Sequence, residues 1–492
     1  MALTIAQSVF VAYLAGVLLV GVIASRFTRR TPSDYYIADR TVGTLILGLT
    51  FVATVLSSFT VFGIGEHAVQ TGLSTFSFLA IAAVFYTLVF ATVGVTLYRV
   101  GRDMDVVTPS QYIRQRYESR GVSVLYLVVT GIFMMALIAG QILGAGVALD
   151  ALMDIPFEVA IVTMAVFMLV YIHIAGYRGV IWSDTMQSIV LFGALGGVVA
   201  YVMAFREPDA MAADATAVTE GILSLVGPAN AWTPLFIMTA AFAFVFGVPA
   251  YPHTIQRYFS ARNAATLRRS GFVFAIVAIP IYLFGTVLGA WSPAVIPVPD
   301  DPMSVIPLVI DAMMHPIVFG IVMAGAVAAI MSTADSVALT MSSMISRDVL
   351  VEFVDPDAGE RREVRITQGL LVAVIGASLV LAWVRPAGIF ALIDFAVVGF
   401  AATSAPVFLG AYWRGATAAG AATSLIFGPA ITILFFLEII PATYQFGMHY
   451  GFIGMTVSYV IFVGVSAATS TPASDAIDRH SRPFGTPRVD SE

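Results

Sequence analysis

Two residue types are missing from this chain of 492 residues. There is no cysteine, which excludes disulfides and thiolate metal sites. There is no lysine either, so all 24 basic residues are arginine. Charge of either sign is scarce: Asp, Glu, Lys and Arg make up 11% of the chain, against about 25% in an ordinary soluble domain. Hydrophobic residues make up 59%. These proportions exclude a soluble globular domain and describe an all-α polytopic membrane protein.

A span needs roughly 20 apolar residues. Runs of that kind number about thirteen, at approximately 3–27, 43–66, 74–99, 122–149, 156–175, 182–205, 233–255, 271–291, 315–345, 366–384, 387–412, 416–439 and 447–468. No loop between them is long enough for a separate domain. Residues 1–470 are therefore expected to form one transmembrane unit, followed by a cytoplasmic tail at 471–492.

The arginines set the orientation. With the N-terminus outside, every arginine except Arg206 and Arg385 falls in an inward loop or the tail. Arg116 and Arg257 are counted among these loop residues. The positive-inside rule then predicts N-out, C-in and an odd number of spans. The basic clusters are short and sit beside spans, so they report topology and not nucleic-acid binding. The first span has its positive cluster after it, as a retained helix does and a cleaved signal peptide does not.

The segment Ala328 to Ser343 reads AAIMSTADSVALTMSS and lies at membrane depth. On a helix, Ser332, Asp335, Ser336, Thr340 and Ser343 share a face. An ionisable group there costs several kcal/mol unless it meets an ion, a partner or water. Hydroxyl and carboxylate oxygens are the ligands that hard cations prefer.

Two spans are expected to be broken. FVATVLSSFTVFGIG (Phe51 to Gly65) gathers hydroxyls and glycines, and GVPAYPH (Gly247 to His253) has two prolines inside an apolar run. Proline removes a backbone donor and frees a carbonyl. A membrane tolerates such breaks only where the backbone lines a cavity or is buried in protein. Interrupted helices in matching positions of two halves point to a transporter site.

Several motifs now fall in order. They are DYYIADRTVG (Asp34 to Gly43), Ala53 with Ser57 and Gly63, TPSQYIRQRY (Thr108 to Tyr117), and GYRGVIWSDTMQ (Gly176 to Gln187). YPHTIQRYFSAR (Tyr251 to Arg262), AAIMSTADSVALTMSSMISRD (Ala328 to Asp348) and YWRGATAAGA (Tyr412 to Ala421) follow. From about Thr31 to Gly428 the chain resembles the sodium/solute symporter family, which carries proline, sugars, pantothenate and monocarboxylates. The resemblance implies a leucine-transporter-type core, an inverted five-helix repeat with halves at about 43–205 and 233–412.

It also implies sites. A sodium ion would be held by the carbonyls of Ala53, Leu56 and Ala329 and the hydroxyls of Ser332 and Thr333. Some relatives hold a second cation, for which Asp184, Asp335 and Ser336 are the candidates here; Asp335 stands where those relatives have a hydroxyl. The solute would lie between the two breaks, against Ser57, Ser58, Thr60, Gln141, Phe244, Val248 and Tyr251. Proline carriers have an acidic residue at the position of Val55 and a second aromatic at that of Val248. Ser57 with Thr60 looks more like the monocarboxylate carriers. Glu66 and His67, at the outer end of the second span, read as surface or gate residues.

The expected function is a sodium-coupled secondary active symporter in the cell membrane. It would import a small organic solute, an amino acid or a small monocarboxylate, by alternating access, with Na+ as the bound ion. Its surroundings would be the lipid bilayer, with no nucleic acid and no obligatory protein partner. Proton coupling through Asp184 and Asp335, and a solute sensor working with a separate partner, are the rival readings. Nothing resembles a nucleophile with its base or an ATP-binding loop, so an enzyme is not expected.

Overall fold

Long apolar runs with few helix breakers leave the backbone one way to satisfy its polar groups in lipid, which is the α-helix. The computed structural model describes residues 3–26, 36–37, 40–55, 57–205, 207–230, 232–354 and 359–470. Among them, the one isolated β-bridge, Val42 to Ala261, is the sole extended pairing. Leu56, Arg29, Arg30, Arg206 and the expected tail at 471–492 lie outside the described residues.

Eleven of the described helices are long and apolar enough to cross a membrane, or twelve if a bent pair counts as one span. α1 is Ile5–Ser25. The second span is in pieces: α2, Thr44–Val55, then a π-helical turn at Phe59–Gly63, then α3, Ile64–Thr71. α4, Ser74–Val89, and α5, Arg120–Met153, follow.

α6 is hydrogen-bonded as one helix over Phe157–Phe205. Yet the Tyr171 hydroxyl meets Ser183 Oγ, 12 residues on. Twelve residues of straight helix rise about 18 Å, beyond the reach of those two side chains. The helix is therefore not straight between them, and two membrane-length segments, Phe157–Ile174 and Trp182–Ala204, lie on either side of this stretch.

The seventh span is the bent pair. α7, Pro234–Gly247, stops at a 3-10 turn, Val248–Ala250, and α8, Pro252–Ser260, departs at 53°. The rest are α9, Ala264–Trp291, α10, Pro316–Ile345, α11, Glu360–Val384, α12, Ile389–Tyr412, α13, Ala418–Phe436, and α14, Tyr450–Ala468.

Burial separates core from periphery. The apolar window of α12 is 94% buried and that of α10 is 83% buried, whereas that of α1 is only 22% buried. A helix apolar all round and buried all round belongs at the centre of a bundle. α10 and α12 therefore form the axis against which the two broken spans pack.

Arg116 is a correction to the loop reading. It is 4% exposed, and its guanidinium donates to the carbonyls of Gly410 at 2.5 Å and Trp413 at 2.8 Å. Those are terminal carbonyls of α12, so the arginine caps a helix end where a cation is favoured.

Close packing at the first break depends on one glycine. A Cβ on Gly144 of α5 would lie 2.3 Å from Ser58 Cβ. Gly144→Ala is expected to push the break off α5 and cost about 1–3 kcal/mol. Melting of the purified variant, with initial uptake rates, checks this; a variant matching the parent in both would show the contact to be slack.

Candidate functional site

The first break opens the backbone between Val55 and Phe59, and side chains refill what it frees. Ser58 N donates to Gln141 Oε1 at 2.9 Å, and Ser58 Oγ donates to the Gly140 carbonyl at 2.9 Å. Ser57 Oγ accepts from Phe59 N at 3.2 Å, and Thr60 Oγ1 accepts from Ser57 N at 3.4 Å. Three residues read from the sequence as solute contacts, Ser58, Thr60 and Gln141, are thus engaged in holding the unwound backbone. Buried amide groups need such partners.

Helix α10 crosses directly behind this break. Ser332 Oγ lies 2.9 Å from the Ala53 carbonyl and 2.7 Å from that of Ala329. Thr333 Oγ1 lies 3.3 Å and 3.4 Å from the same two oxygens. Ser332, Thr333, Ala53 and Ala329 are all buried. Two neutral carbonyls and two hydroxyls thus converge from a broken helix and a continuous one. This donor set suits a hard monovalent cation, and turning the hydroxyl lone pairs toward an ion needs only O–H rotation. Leu56, the fifth expected ligand, falls outside the described residues.

The second expected cation site has a different occupant. Asp184 and Ser336 do come together, but they do so around the guanidinium of Arg257. Arg257 Nη2 is 3.1 Å from Asp184 Oδ2 and donates to Ser336 Oγ at 2.6 Å. Its Nε donates to Thr50 Oγ1 at 3.3 Å and its Nη1 to the His253 carbonyl at 3.2 Å. Thr50 Oγ1 in turn donates to Asp184 Oδ2 at 2.5 Å. Arg257 and Asp184 are both 0% exposed. Arg257, expected in an inward loop, is therefore a core residue of α8, drawn inside by a buried carboxylate. Asp335 is also fully buried, and neither of its oxygens has a hydrogen-bond partner.

Beside this cluster of carbonyls and hydroxyls lies a small cavity lined by Ser57 and Phe59 of the first break, by Phe244, Val248 and Tyr251 of the second, and by Thr333. Tyr86 of α4, Tyr282 of α9, Leu137, Ile393 and Val397 complete the wall. Free space is about 20 Å³, room for one water molecule, so a solute enters only when the walls part. Tyr86 and Tyr282 went unnoticed in the sequence because each sits in an apolar run like any packed aromatic. Among the described residues, no charged side chain lines the cavity.

Aromatic rings close one side of it. Phe59 stacks on Phe390 with centroids 5.0 Å apart, and His67 stacks on the same ring at 3.9 Å. Glu66 Oε2 accepts from Phe390 N at 3.2 Å, a carboxylate at the N-terminus of α12, where negative charge is favoured. Glu66 and His67 thus bind α3, the second half of the broken span, to α12.

Comparison with known proteins identifies the family. Residues 35–428 match the sodium:solute symporter family. The sodium/pantothenate symporter of Escherichia coli is 27% identical over 428 residues, covering 85% of this chain and 88% of that protein. The sodium/pantothenate symporter of Haemophilus influenzae is 25% identical over 415 residues, covering 83% and 86%. The sodium/proline symporter of Haemophilus influenzae is 24% identical over 489 residues, covering 95% of each. Among solved structures, a Na+-coupled sialic acid symporter in a substrate-bound, outward-open state superposes with a TM-score of 0.76 at 21% identity, covering 95% of this chain and 98% of that one. MHP1, a nucleobase-cation-symport-1 family transporter closed around bromovinylhydantoin, gives 0.59 at 14% identity, covering 91% and 98%. At these identities the structural likeness speaks for the fold alone. The named relatives are carriers and not enzymes, and the family match covers most of the sequence. This multi-pass membrane protein belongs to the sodium:solute symporter family.

Proposed function

We propose that sodium binds where α10 crosses the first break, with Ala53, Leu56 and Ala329 giving carbonyls and Ser332 and Thr333 giving hydroxyls. The observation that carries this reading is the meeting of both hydroxyls with the Ala53 carbonyl, at 2.9 Å and 3.3 Å. The ion would pin α2 to α10 and favour the form that accepts solute. The solute would sit in the adjoining cavity, with Ser57, Phe244, Val248 and Tyr251 on its walls, and Thr333 would touch both ligands. Rocking of the broken spans against α10 and α12 would then release both on the other side. The aromatic lid at Phe390 would open first, and the Arg257 clasp second. The inverted repeat, the thirteen spans and the N-out orientation belong to the same proposal. Large exposed apolar side chains such as Ile276, Val380 and Val460 support a lipid surround.

Each sodium ion brings about 2.3 kcal/mol per 100 mV of membrane potential. Since about 1.4 kcal/mol is tenfold, at that potential one ion supports more than tenfold accumulation of an uncharged solute; with a monocarboxylate anion the two charges cancel and the sodium gradient alone drives uptake. A second cation at Asp184, Asp335 and Ser336 would have to displace Arg257, which already neutralises Asp184. One sodium per cycle is therefore the stoichiometry we favour, and a Hill coefficient close to one for sodium-driven uptake is the expected result. A clearly higher coefficient, abolished by Asp335→Ala, would establish the second ion instead. The occupancy itself is checked by melting the purified protein in sodium and in choline chloride. Stabilisation by sodium that Ser332→Ala removes is the expected outcome; equal melting in both salts would end the proposal.

A further inference from the structure

The cavity walls carry three tyrosines on three different segments: Tyr86 on α4, Tyr251 at the break before α8, and Tyr282 on α9. They are 1%, 4% and 1% exposed. None of the three hydroxyls has a hydrogen-bond partner among the described residues; Tyr126 also lacks one, whereas Tyr112 finds the Val407 carbonyl at 3.0 Å and Tyr117 that of Pro406 at 2.6 Å. A buried phenol ordinarily reaches a partner, because leaving it without one costs free energy. Three of them around one cavity, unsatisfied by protein, are donors waiting for a ligand.

The rest of the wall narrows the ligand's chemistry. Phe59, Phe244, Leu137 and Val397 give it a dry, apolar side, suited to a short hydrocarbon body and poorly suited to a polyol. Among the described residues no carboxylate lines the cavity, so an ammonium group would find no counter-charge there. The nearby Asp394 is turned to Tyr450, whose hydroxyl lies 2.7 Å from its Oδ2. A carboxylate, by contrast, would find hydroxyl donors, and it would find a positive charge if sodium sits beside Thr333.

We propose that Tyr86, Tyr251 and Tyr282 form a hydroxyl cradle for the carboxylate of a small monocarboxylate, with the sodium ion at Ser332 and Thr333 as its counter-charge. This rests on the reading of the chain as a sodium-coupled carrier, and it deepens that reading. It also gives coupling a physical source. An anion buried without a cation is strongly disfavoured, so each ligand raises the affinity of the other by the same factor.

The test uses the purified full-length protein with propionate, lactate and pantothenate as carboxylate probes, and L-proline and D-glucose as contrasts. Equilibrium binding is measured with and without sodium, alongside melting. Sodium-dependent binding of at least one carboxylate probe, tighter than that of proline or glucose, is expected. Tyr86→Phe and Tyr282→Phe keep the ring and remove the donor. Each should weaken carboxylate binding about tenfold, the scale of a hydrogen bond to a charged group, while stabilisation by sodium alone persists as the sign of an intact fold. Tighter sodium-dependent binding of proline or glucose would overturn the cradle, as would phenylalanine variants that bind the carboxylate like the parent. Sodium stabilisation without any carboxylate binding would reject the cradle and leave the carrier reading standing. No effect of sodium at all would remove both.

Discussion

Arg257→Ala is expected to destabilise the protein by about 3–5 kcal/mol, because it leaves Asp184 as an unpaired charge in the bundle core. The two groups are 3.1 Å apart and both 0% exposed. The same guanidinium also ties Thr50, Ser336 and the His253 carbonyl together, so α2, α6, α8 and α10 lose their common tether at once. Removing both charges should cost far less than removing one, since a neutral pair carries no desolvation penalty of that size. The double variant Asp184→Asn/Arg257→Gln should therefore melt well above Arg257→Ala. Arg257→Lys should fall between them and the parent, as it keeps the charge but loses the planar fork. Melting of the four proteins in one detergent decides the matter. An Arg257→Ala protein as stable as the parent would mean that the pair is not formed.

The second large effect is expected at the sodium ligands. Ser332→Ala/Thr333→Ala removes two of the five proposed oxygens and keeps the helix. A polar contact to a charged group is worth about 1.5–3 kcal/mol, so each loss weakens sodium about tenfold or more. Half-maximal uptake in proteoliposomes should then need over a hundredfold more sodium, about ten for each ligand. Thr340→Ala is the control on the same helix. Its hydroxyl is committed to Gln256 Oε1 at 2.5 Å, so its removal should leave sodium dependence where it was. A double variant with the parent's sodium dependence would place the ion elsewhere.

The rest of the site divides by what kind of signal marks each residue. The breaks were readable in advance because proline and glycine act on their own backbone, within one turn. The polar face of α10 was readable because helical periodicity is local. Gln141 was expected from the sequence as a solute contact, and its bond to the first break had no local sign. Its side-chain oxygen serves the Ser58 amide, and only a folded backbone tells which amide goes unpaired. Tyr86 and Tyr282 gave no local sign, since an apolar run looks the same whether an aromatic faces lipid, core or cavity.

Hydropathy, arginine placement and helix breakers thus determined, from the sequence alone, a polytopic helical membrane protein with two interrupted spans and a hydroxyl-rich helix. Each is a property of neighbours along the chain, and each acts before any tertiary contact exists. Tertiary structure alone decided that Arg257 serves as the internal partner of Asp184, 73 residues away, and is not a loop charge. It also decided that three distant tyrosines share one cavity beside Thr333. The physical reason is that charge pairing and cavity lining are long-range properties. They depend on which helix faces pack together, and no window of the sequence records that.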